Sequence, residues 1–243
     1  MWRVFSASAT GKRNLEQGLQ GQDASHCVIA GSALAAVVCD GAGSVREGQA
    51  GAQFIARALA EKLSQSLCAD LETCIREAID DARARLAGVA QSRKLALHDF
   101  ACTLVGCVTS ARGGCFFHIG DGFAIWREAT GSCLLSQPEN GEYTDETYFV
   151  TDESWREHLR ITPLPAAGPG CMIGLMSDGT APFAVNRTRT GFFAPFIDPV
   201  AAFLCRATPL DGDAALRNLL ESPRASEISA DDKTLLLAFA AQV

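Results

Sequence analysis

Short runs of apolar and β-branched residues, bounded by Gly, Ser or Asp, recur along the chain and predict β-strands. Several runs are uniformly apolar, which is typical of strands that are buried on both faces. The predicted strands span residues 4–9, 27–30, 34–39, 102–109, 115–119, 123–126, 172–176 and 235–239.

Two longer segments, residues 47–67 and 71–89, carry apolar residues at helical spacing and predict amphipathic helices. Shorter helices are expected within 199–205 and within 213–220, where Asp213 could cap the N-terminus. Because the strands come in runs and do not alternate with helices, the pattern predicts an α+β fold.

The composition fits a soluble globular protein with a sizeable core, since 48% of the 243 residues are hydrophobic and 20% are charged. These proportions exclude a disordered, collagen-like or coiled-coil chain. Residues 137–169 are polar and weakly periodic, so we expect a long loop or flap there. No second core is evident beyond this segment, and we therefore expect one domain over residues 1–243.

The charge balance disfavours two classes of partner. The chain has 21 Lys and Arg against 28 Asp and Glu, a formal charge of −7, and no run of basic residues. Nucleic acids and anionic membranes attract such runs, so we expect neither as a partner. The first residues lack the apolar core of a signal peptide, and no apolar run approaches the ~20 residues that span a bilayer, so the cytoplasm is the expected compartment.

Ten cysteines raise the question of a disulfide framework or a zinc site. No two of them form a CxxC pair, and most lie in apolar segments, where a thiol behaves as a small hydrophobic side chain. We therefore expect reduced cysteines that mostly pack in the core, as suits a cytosolic protein. His118 lies in a similar apolar run and is expected to be a core histidine, not a ligand.

Carboxylates stand next to predicted strands at five places. A carboxylate at a strand end is held by rigid backbone, and a following Gly lets the chain turn and lets its carbonyl approach a ligand. A single Asp-Gly step is also a common turn signal, so each place alone has a purely structural explanation. The five places are Asp23, Asp40-Gly41, Asp121-Gly122, Asp178-Gly179 and the pair Asp231-Asp232.

Several aspartates from different strands could together bind hard divalent cations. Magnesium and manganese prefer oxygen ligands in octahedral geometry. Two such ions that share a bridging carboxylate and a water would polarise a phosphoryl oxygen and supply hydroxide for in-line attack. The positions of the aspartates therefore favour phosphate-ester hydrolysis without a side-chain nucleophile.

The order of these motifs resembles that of the metal-dependent protein phosphatases of type 2C, the PPM family, over about residues 10–240. The segments GQDA, DGAGS and FACT are similar to the atypical bacterial branch of that family. The motifs that carry the resemblance are Gln22-Asp23, Asp40-Gly41, Gly120-Asp121, Ser177-Asp178-Gly179 and Asp231-Asp232-Lys233-Thr234.

The resemblance implies a central β-sandwich of two mostly antiparallel sheets flanked by helices, an αββα arrangement. It also implies a protein serine/threonine phosphatase that uses Mn²⁺ or Mg²⁺, with two ions and a place for a third. Asp40 would bridge the two ions, and the carbonyl of Gly41 would be a further ligand. Asp23 would hold the metal-bound water, so that Asp23 and Asp40 act in catalysis through it.

The same resemblance implies metal positions for the remaining carboxylates. Asp178 and Asp231 would complete the ligands of the first ion, and Asp121 would help hold the third. Asp231 takes the ligand position when the sequence is aligned on Thr234, with Asp232 as the alternative.

Three positions depart from the pattern of the family. Gln22 stands where many members have Glu, Ala42 where eukaryotic enzymes often have a His general acid, and Gly18 where an Arg often binds the substrate phosphate. Lys12 and Arg13 are the candidates to replace that Arg, and a solvated surface role is the alternative for both.

Motifs of other enzyme classes are missing from the sequence. It has no DxD on its first predicted strand, where a haloacid-dehalogenase phosphatase needs one, no P-loop lysine, no complete dinucleotide fingerprint and no GxSxG. The remaining rival is a non-catalytic PPM-like scaffold or pseudophosphatase, which the three departures suggest. Against this rival, converging carboxylates repel one another unless a cation or protonation neutralises them.

The expected partner is a phosphorylated protein, such as a cognate Ser/Thr kinase, and the expected state is a monomer. As a hypothesis, the flap at residues 137–169 shapes substrate choice, with Tyr143, Tyr148 and Trp155 as contact candidates.

Overall fold

Two five-stranded antiparallel sheets form the centre of the computed structural model, which describes residues 1–65, 70–138 and 147–240. The strands are β1 (Trp2–Ala9), β2 (Ala24–Ala30), β3 (Ala33–Cys39), β4 (Leu104–Ser110), β5 (Gly113–Ile119), β6 (Phe123–Arg127), β7 (Cys133–Ser136), β8 (Arg160–Leu164), β9 (Met172–Met176) and β10 (Lys233–Ala240). Sheet I has the order β1-β10-β9-β6-β7, and sheet II has the order β2-β3-β4-β5-β8.

Helices cover both outer faces of the sandwich. The long helices α2 and α3 pack on sheet II, and a group of shorter helices, α5 to α8, packs on sheet I. The helices are α1 (Lys12–Glu16), α2 (Gly48–Gln65), α3 (Leu71–Ser92), α4 (Trp155–His158), α5 (Ala181–Ala184), α6 (Ala194–Leu204), α7 (Pro209–Leu220) and α8 (Pro223–Ile228). This arrangement confirms the α+β fold and the αββα sandwich. None of the described helices is long and apolar enough to cross a membrane.

The apolar core has three layers, which explains why the central strands are apolar on both faces. In β3, Ala36 and Val38 point between the two sheets, while Ala35 and Val37 point towards α2 and α3. Successive side chains of a strand point to opposite faces, so a strand between two apolar layers needs no polar positions. All seven residues of β3 are buried.

The structure contains each of the eight predicted strands, with ends that differ by up to three residues at 24–30. It also contains two strands that the pattern did not predict, β7 and β8. The expectation of a loop throughout 137–169 is wrong, because β8 pairs with β5 in sheet II. β8 includes Pro163 and lies at the edge of its sheet, where a proline is tolerated, and this residue weakens the strand signal.

Helix α7 begins earlier in the chain than the sequence predicts. The helix expected within 213–220 begins at Pro209, and its cap is Thr208, whose Oγ1 accepts a hydrogen bond from the Asp211 amide at 3.2 Å. Asp213 is therefore not the cap, and its side chain instead accepts from the amide of Ser6 at 2.9 Å. Pro at the first helical position has no amide hydrogen to satisfy, which explains the earlier start.

The cysteines mostly follow the expectation of buried thiols. Five free cysteines are buried, namely Cys39, Cys102, Cys107, Cys115 and Cys171. The expectation is wrong for Cys205, which is exposed, and for Cys74, which is disulfide-bonded. Cys68 lies outside the described residues.

His118 is a core histidine, as predicted. Its side chain is fully buried, and Nδ1 lies 3.0 Å from Oγ of Ser136. Burial, reinforced by the positive charge of Arg160, lowers the pKa of His118 from 6.5 to about 3. The ring is therefore neutral in the folded protein at neutral pH.

Candidate functional site

A cleft of about 830 Å³ opens at the end of the sandwich where the predicted carboxylates meet. Both sheets contribute, since Asp40 follows β3 of sheet II and Asp178 follows β9 of sheet I. Asp23 lies beneath the cleft surface and is 8% exposed. The carboxylates that line the cleft are Asp40, Asp121, Asp178, Asp231 and Asp232.

The backbone of Asp40 is fixed by two hydrogen bonds to Thr103, the residue before β4. Its amide donates to Oγ1 of Thr103 at 3.0 Å, and the Thr103 amide donates to the Asp40 carbonyl at 2.8 Å. The next residue must be glycine, because a Cβ on Gly41 would lie 2.4 Å from the backbone carbon of Gly48 in the first turn of α2. The Asp-Gly step here therefore brings the turn after β3 against α2.

Asp23 is joined to sheet I through Ser177. Oγ of Ser177 donates to Oδ2 of Asp23 at 2.7 Å and accepts from the amide of Thr234 at 2.9 Å. The Ser-Asp-Gly and Asp-Asp-x-Thr motifs thus hold a carboxylate that precedes β2 of the other sheet. This contact brings the ends of the two sheets together at the cleft.

Asp232 binds the N-terminal segment of the chain. Its carboxylate accepts from the amides of Gly11 and Gln22, both at 2.6 Å, and from Nδ2 of Asn14 at 2.9 Å. The residue is 7% exposed. With both oxygens committed to protein donors, Asp232 organises residues 11–22 beside the cleft.

Asp231 points to the open side of the cleft. Its Oδ1 lies 2.9 Å from Nη1 of Arg13, in a pair that is exposed on both sides. The buried Lys233 donates from Nζ to the carbonyls of Asp231, at 2.8 Å, and Ser229, at 3.3 Å, and thereby fixes the turn before β10. Lys12, the other predicted phosphate contact, is an exposed partner of Glu16 and does not line the cleft.

The carboxylates raise one another's pKa values. Burial and then the charges of Asp23, Asp178 and Asp121 raise the pKa of Asp40 well above its usual range. Burial, in spite of the hydrogen bond from Ser177, raises the pKa of Asp23 to about 7. Burial and then the charge of Asp121 raise the pKa of Asp178 to about 6. The ionised cluster is therefore unfavourable unless positive charge is added.

Three buried carboxylate oxygens of the cluster have no hydrogen-bond donor among the described residues, namely Oδ1 of Asp23, Asp121 and Asp178. A hard cation suits such a set, because all the donors are oxygens. In the residues described, however, no group of three His, Cys, Asp or Glu side chains is arranged so that it could hold a metal ion as it stands. Asp121 is instead bonded to Thr147 through Oδ2, and Asp231 to Arg13 through Oδ1.

The predicted flap meets the cleft through different residues than expected. Thr147 and Phe149 line the cleft, and Oγ1 of Thr147 donates to Oδ2 of Asp121 at 2.7 Å. Tyr148 is not part of the lining and stacks on the ring of His158 at 3.4 Å between centroids. Trp155 is 2% exposed, so it is not available as a surface contact. The third candidate, Tyr143, lies outside the described residues.

Sequence comparison supports the resemblance over most of the chain. A sequence model of the family described as "Protein phosphatase 2C" matches residues 10–221. The chain belongs to the protein phosphatase 2C family. It is also 31% identical over 253 residues to "Serine/threonine-protein phosphatase 3" of Escherichia coli (strain K12), with 99% of each chain covered.

Solved structures share the fold at lower sequence identity. The catalytic domain of the serine/threonine phosphatase PstP, described in complex with two manganese ions, has a TM-score of 0.66 at 17% identity, with 99% of each chain covered. The serine/threonine phosphatase Stp1 from Staphylococcus aureus has a TM-score of 0.62 at 18% identity, with 100% of this chain and 96% of that chain covered. Both agree with the two-sheet arrangement described above.

Proposed function

We propose that this protein phosphatase 2C family member hydrolyses phosphoserine and phosphothreonine in proteins, with Mn²⁺ or Mg²⁺ held at the carboxylate cleft. The observation that carries the proposal is the convergence of buried and half-buried aspartates from both sheets, three of which have a buried oxygen without a donor among the described residues. A scaffold would gain nothing from such a cluster, because it destabilises the fold while it is not neutralised.

Asp40, Asp178 and Asp231, with the carbonyl of Gly41, would hold the metal ions, and Asp121 would support a third. When bound, the ions would polarise the phosphoryl group and lower the pKa of water, so that hydroxide is available at neutral pH. Asp23 faces Asp40 from below and would orient water in the cleft. Asp232 is proposed to organise residues 11–22, because three protein donors occupy it.

The cleft offers no histidine, lysine or cysteine as an acid among the described residues that line it. Ala42 takes the place at which eukaryotic relatives often have His, and its methyl group cannot move a proton. Protonation of the departing Ser or Thr oxygen would therefore fall to water or to an aspartate of the cleft.

Arg13 is proposed to bind the substrate phosphate. Its side chain is 65% exposed, and it is the one cationic side chain that lines the cleft within the described ranges. A guanidinium matches phosphate oxygens with two parallel hydrogen bonds. With a cation bound at Asp231, this exposed pair would be weaker, and Arg13 would be available to the phosphoryl group.

The deciding experiment is phosphate release from p-nitrophenyl phosphate and from a phosphothreonine peptide, with Mn²⁺ and with EDTA. We expect turnover in Mn²⁺ that falls by at least about 10²-fold in Asp40→Asn. Asp198→Asn, an exposed change on α6, is the matched control and should keep full activity. Mn²⁺ binding without turnover above that of Asp40→Asn would favour the non-catalytic scaffold instead.

Further parts of the proposal rest on the sequence alone. They are one domain over residues 1–243, a monomeric state, a cytoplasmic location, and a phosphorylated Ser/Thr kinase or its substrate as the partner.

A further inference from the structure

A groove of about 390 Å³ lies between the start of β2 and the helices α2 and α3. Three arginines line it, together with His26 of β2, namely Arg57 of α2, Arg85 of α3 and Arg93, which directly follows α3. The one acidic residue of its lining, among those described, is Glu61. The arginines are far apart in the sequence, so the basic character exists only in the fold.

The charges of the groove are available to a ligand. Arg85 and Arg93 are 53% and 50% exposed, and in the described part of the chain each has one ion pair, with the exposed Asp81 at 3.5 Å and with the half-buried Glu47 at 3.0 Å. Exposed ion pairs are weak, so both guanidinium groups can exchange these partners for other carboxylates. Arg57 is exposed and has no ion pair within the described part of the chain.

Aromatic rings hold two of the arginines in place. The guanidinium of Arg85 lies 5.4 Å from the centre of the Phe54 ring, and that of Arg93 lies 5.8 Å from the centre of the Phe100 ring. Such cation–π contacts restrict the side chains before a ligand arrives. A restricted guanidinium loses less conformational entropy on binding than a mobile one.

The N-terminal half of α2 lies next to both the groove and Gly41 of the proposed active site. The first turn of α2 lies against Gly41, and Nε2 of Gln49 donates to the carbonyl of Gly21 at 2.8 Å. Arg57 lies nine residues after Gly48, which is about 13 Å along the helix at ~1.5 Å per residue. An extended peptide covers about 3.3 Å per residue, so this distance corresponds to about four residues.

We propose that this groove binds an acidic segment of the phosphoprotein substrate, with its Asp or Glu residues about four positions from the phosphorylated Ser or Thr. The inference rests on the proposed phosphatase function and names its substrate class. A short segment is favoured over an extended polyanion, because the chain as a whole carries a formal charge of −7. When the phosphate of a peptide is bound in the cleft, the local basic surface of the groove is sufficient to bind the acidic side chains near that phosphate.

The test compares two phosphothreonine peptides that differ only in positions three to five on each side of the phosphothreonine, which hold Glu in one and Gln in the other. We expect the wild-type protein to have a lower KM for the Glu peptide. Arg57→Gln should raise that KM by about two- to five-fold, and Arg57→Gln with Arg85→Gln by more, with little change for the Gln peptide. Arg217→Gln, an exposed change on α7, is the matched control. The preference should shrink at 0.5 M salt.

Turnover of p-nitrophenyl phosphate separates this inference from the proposed function, because that substrate does not reach the groove. Full activity on it with equal KM values for both peptides would overturn the groove and leave the phosphatase standing. If no substrate is turned over, fluorescence anisotropy of the labelled Glu peptide decides, and equal affinity for wild type and Arg57→Gln overturns the inference. Displacement of that peptide by single-stranded RNA at equal charge concentration would also overturn it, in favour of a nucleic-acid surface.

Discussion

The two adjacent aspartates just before β10 have different contacts in this structure. Asp232 accepts three hydrogen bonds from residues 11–22 and is buried, whereas Asp231 is partly exposed to the cleft and bonded to Arg13. We expect Asp231→Asn to weaken Mn²⁺ binding by about tenfold or more with little loss of stability. Asp232→Asn should instead lower the free energy of unfolding by about 2–3 kcal/mol, since the amide presents one acceptor oxygen in place of two.

Isothermal titration with Mn²⁺ and urea unfolding of the metal-free protein measure the two effects separately. Asp211→Asn, an exposed change near the start of α7, serves as the control for an aspartate outside the cleft. A tenfold loss of Mn²⁺ affinity in Asp232→Asn at unchanged stability would contradict the assignment and make Asp232 the ligand.

His118 gives the fold a measurable dependence on pH. Its pKa is lowered from 6.5 to about 3, so above pH 6.5 the residue is neutral whether the chain is folded or unfolded. Below pH 6.5 the unfolded chain takes up a proton that the folded protein refuses, and stability falls by about 1.4 kcal/mol per pH unit. We expect His118→Gln to remove this fall, which amounts to about 2 kcal/mol between pH 6.5 and 4.5.

Urea unfolding of both proteins at several pH values between 4.5 and 7 gives the two slopes. Asp23 and Asp178 change the slope in the opposite direction, since raised carboxyl pKa values favour the folded protein as the pH falls, but they are present in both proteins. His98→Gln, at an exposed position, is the control. Parallel slopes for wild type and His118→Gln would mean that the buried ring is not held neutral.

At the scale of elements, the segment between β7 and β9 has a fixed part and a part that meets the cleft. The ring centre of Trp155 in α4 lies 5.7 Å from the guanidinium of Arg83 and 4.7 Å from that of Arg156. Arg83 also donates to the carbonyl of Val150, and Phe149 next to it lines the cleft. These contacts join the segment to α3, and within the described part of the segment Thr147 and Phe149 line the cleft.

We expect Trp155→Ala to destabilise the protein by about 3–5 kcal/mol, because it removes a fully buried ring. Phe149→Ala should cost much less stability and should change KM for the phosphothreonine peptide more than it changes KM for p-nitrophenyl phosphate. Thermal unfolding and steady-state kinetics on both substrates test the pair. A change of peptide KM in a folded Trp155→Ala protein, with none in Phe149→Ala, would contradict this division.

The elements that the sequence predicts are those with a strong period. β3 is an apolar run that is buried on both faces, and α2 has apolar residues at helical spacing on its buried face. Each pattern lies within one continuous segment of the chain, so it can be recognised without knowledge of the fold. β7 and β8 were missed because they are short, lie at sheet edges and are only partly buried. α1, with no buried residue, has no apolar period to detect.

At the scale of the whole molecule, the cleft combines residues that the sequence keeps far apart. The aspartates could be predicted, because each one stands at the end of a strand and the order of the motifs is that of the family. The contact of Arg13 with Asp231 and that of Thr147 with Asp121 could not, because they join segments that are separated by 218 and 26 positions in the sequence. The same holds for the three arginines of the groove beside α2.

Because these carboxylates converge, we expect the stability of the entire fold to depend on metal. Without metal, Asp23, Asp121 and Asp178 repel Asp40, so we expect Asp40→Asn to raise the melting temperature of the EDTA-treated protein by about 2–8 °C, or about 1–2 kcal/mol. With Mn²⁺ the order should reverse, because binding stabilises the wild type in proportion to the logarithm of the metal concentration over Kd, and the variant binds weakly.

Thermal unfolding with EDTA and across a Mn²⁺ titration measures both effects. Asp81→Asn on α3 is the control and should behave as wild type in each condition, within about 0.5 kcal/mol. An Asp40→Asn protein that is less stable than wild type in EDTA would show that the cluster is held together by hydrogen bonds and is not strained by its charges.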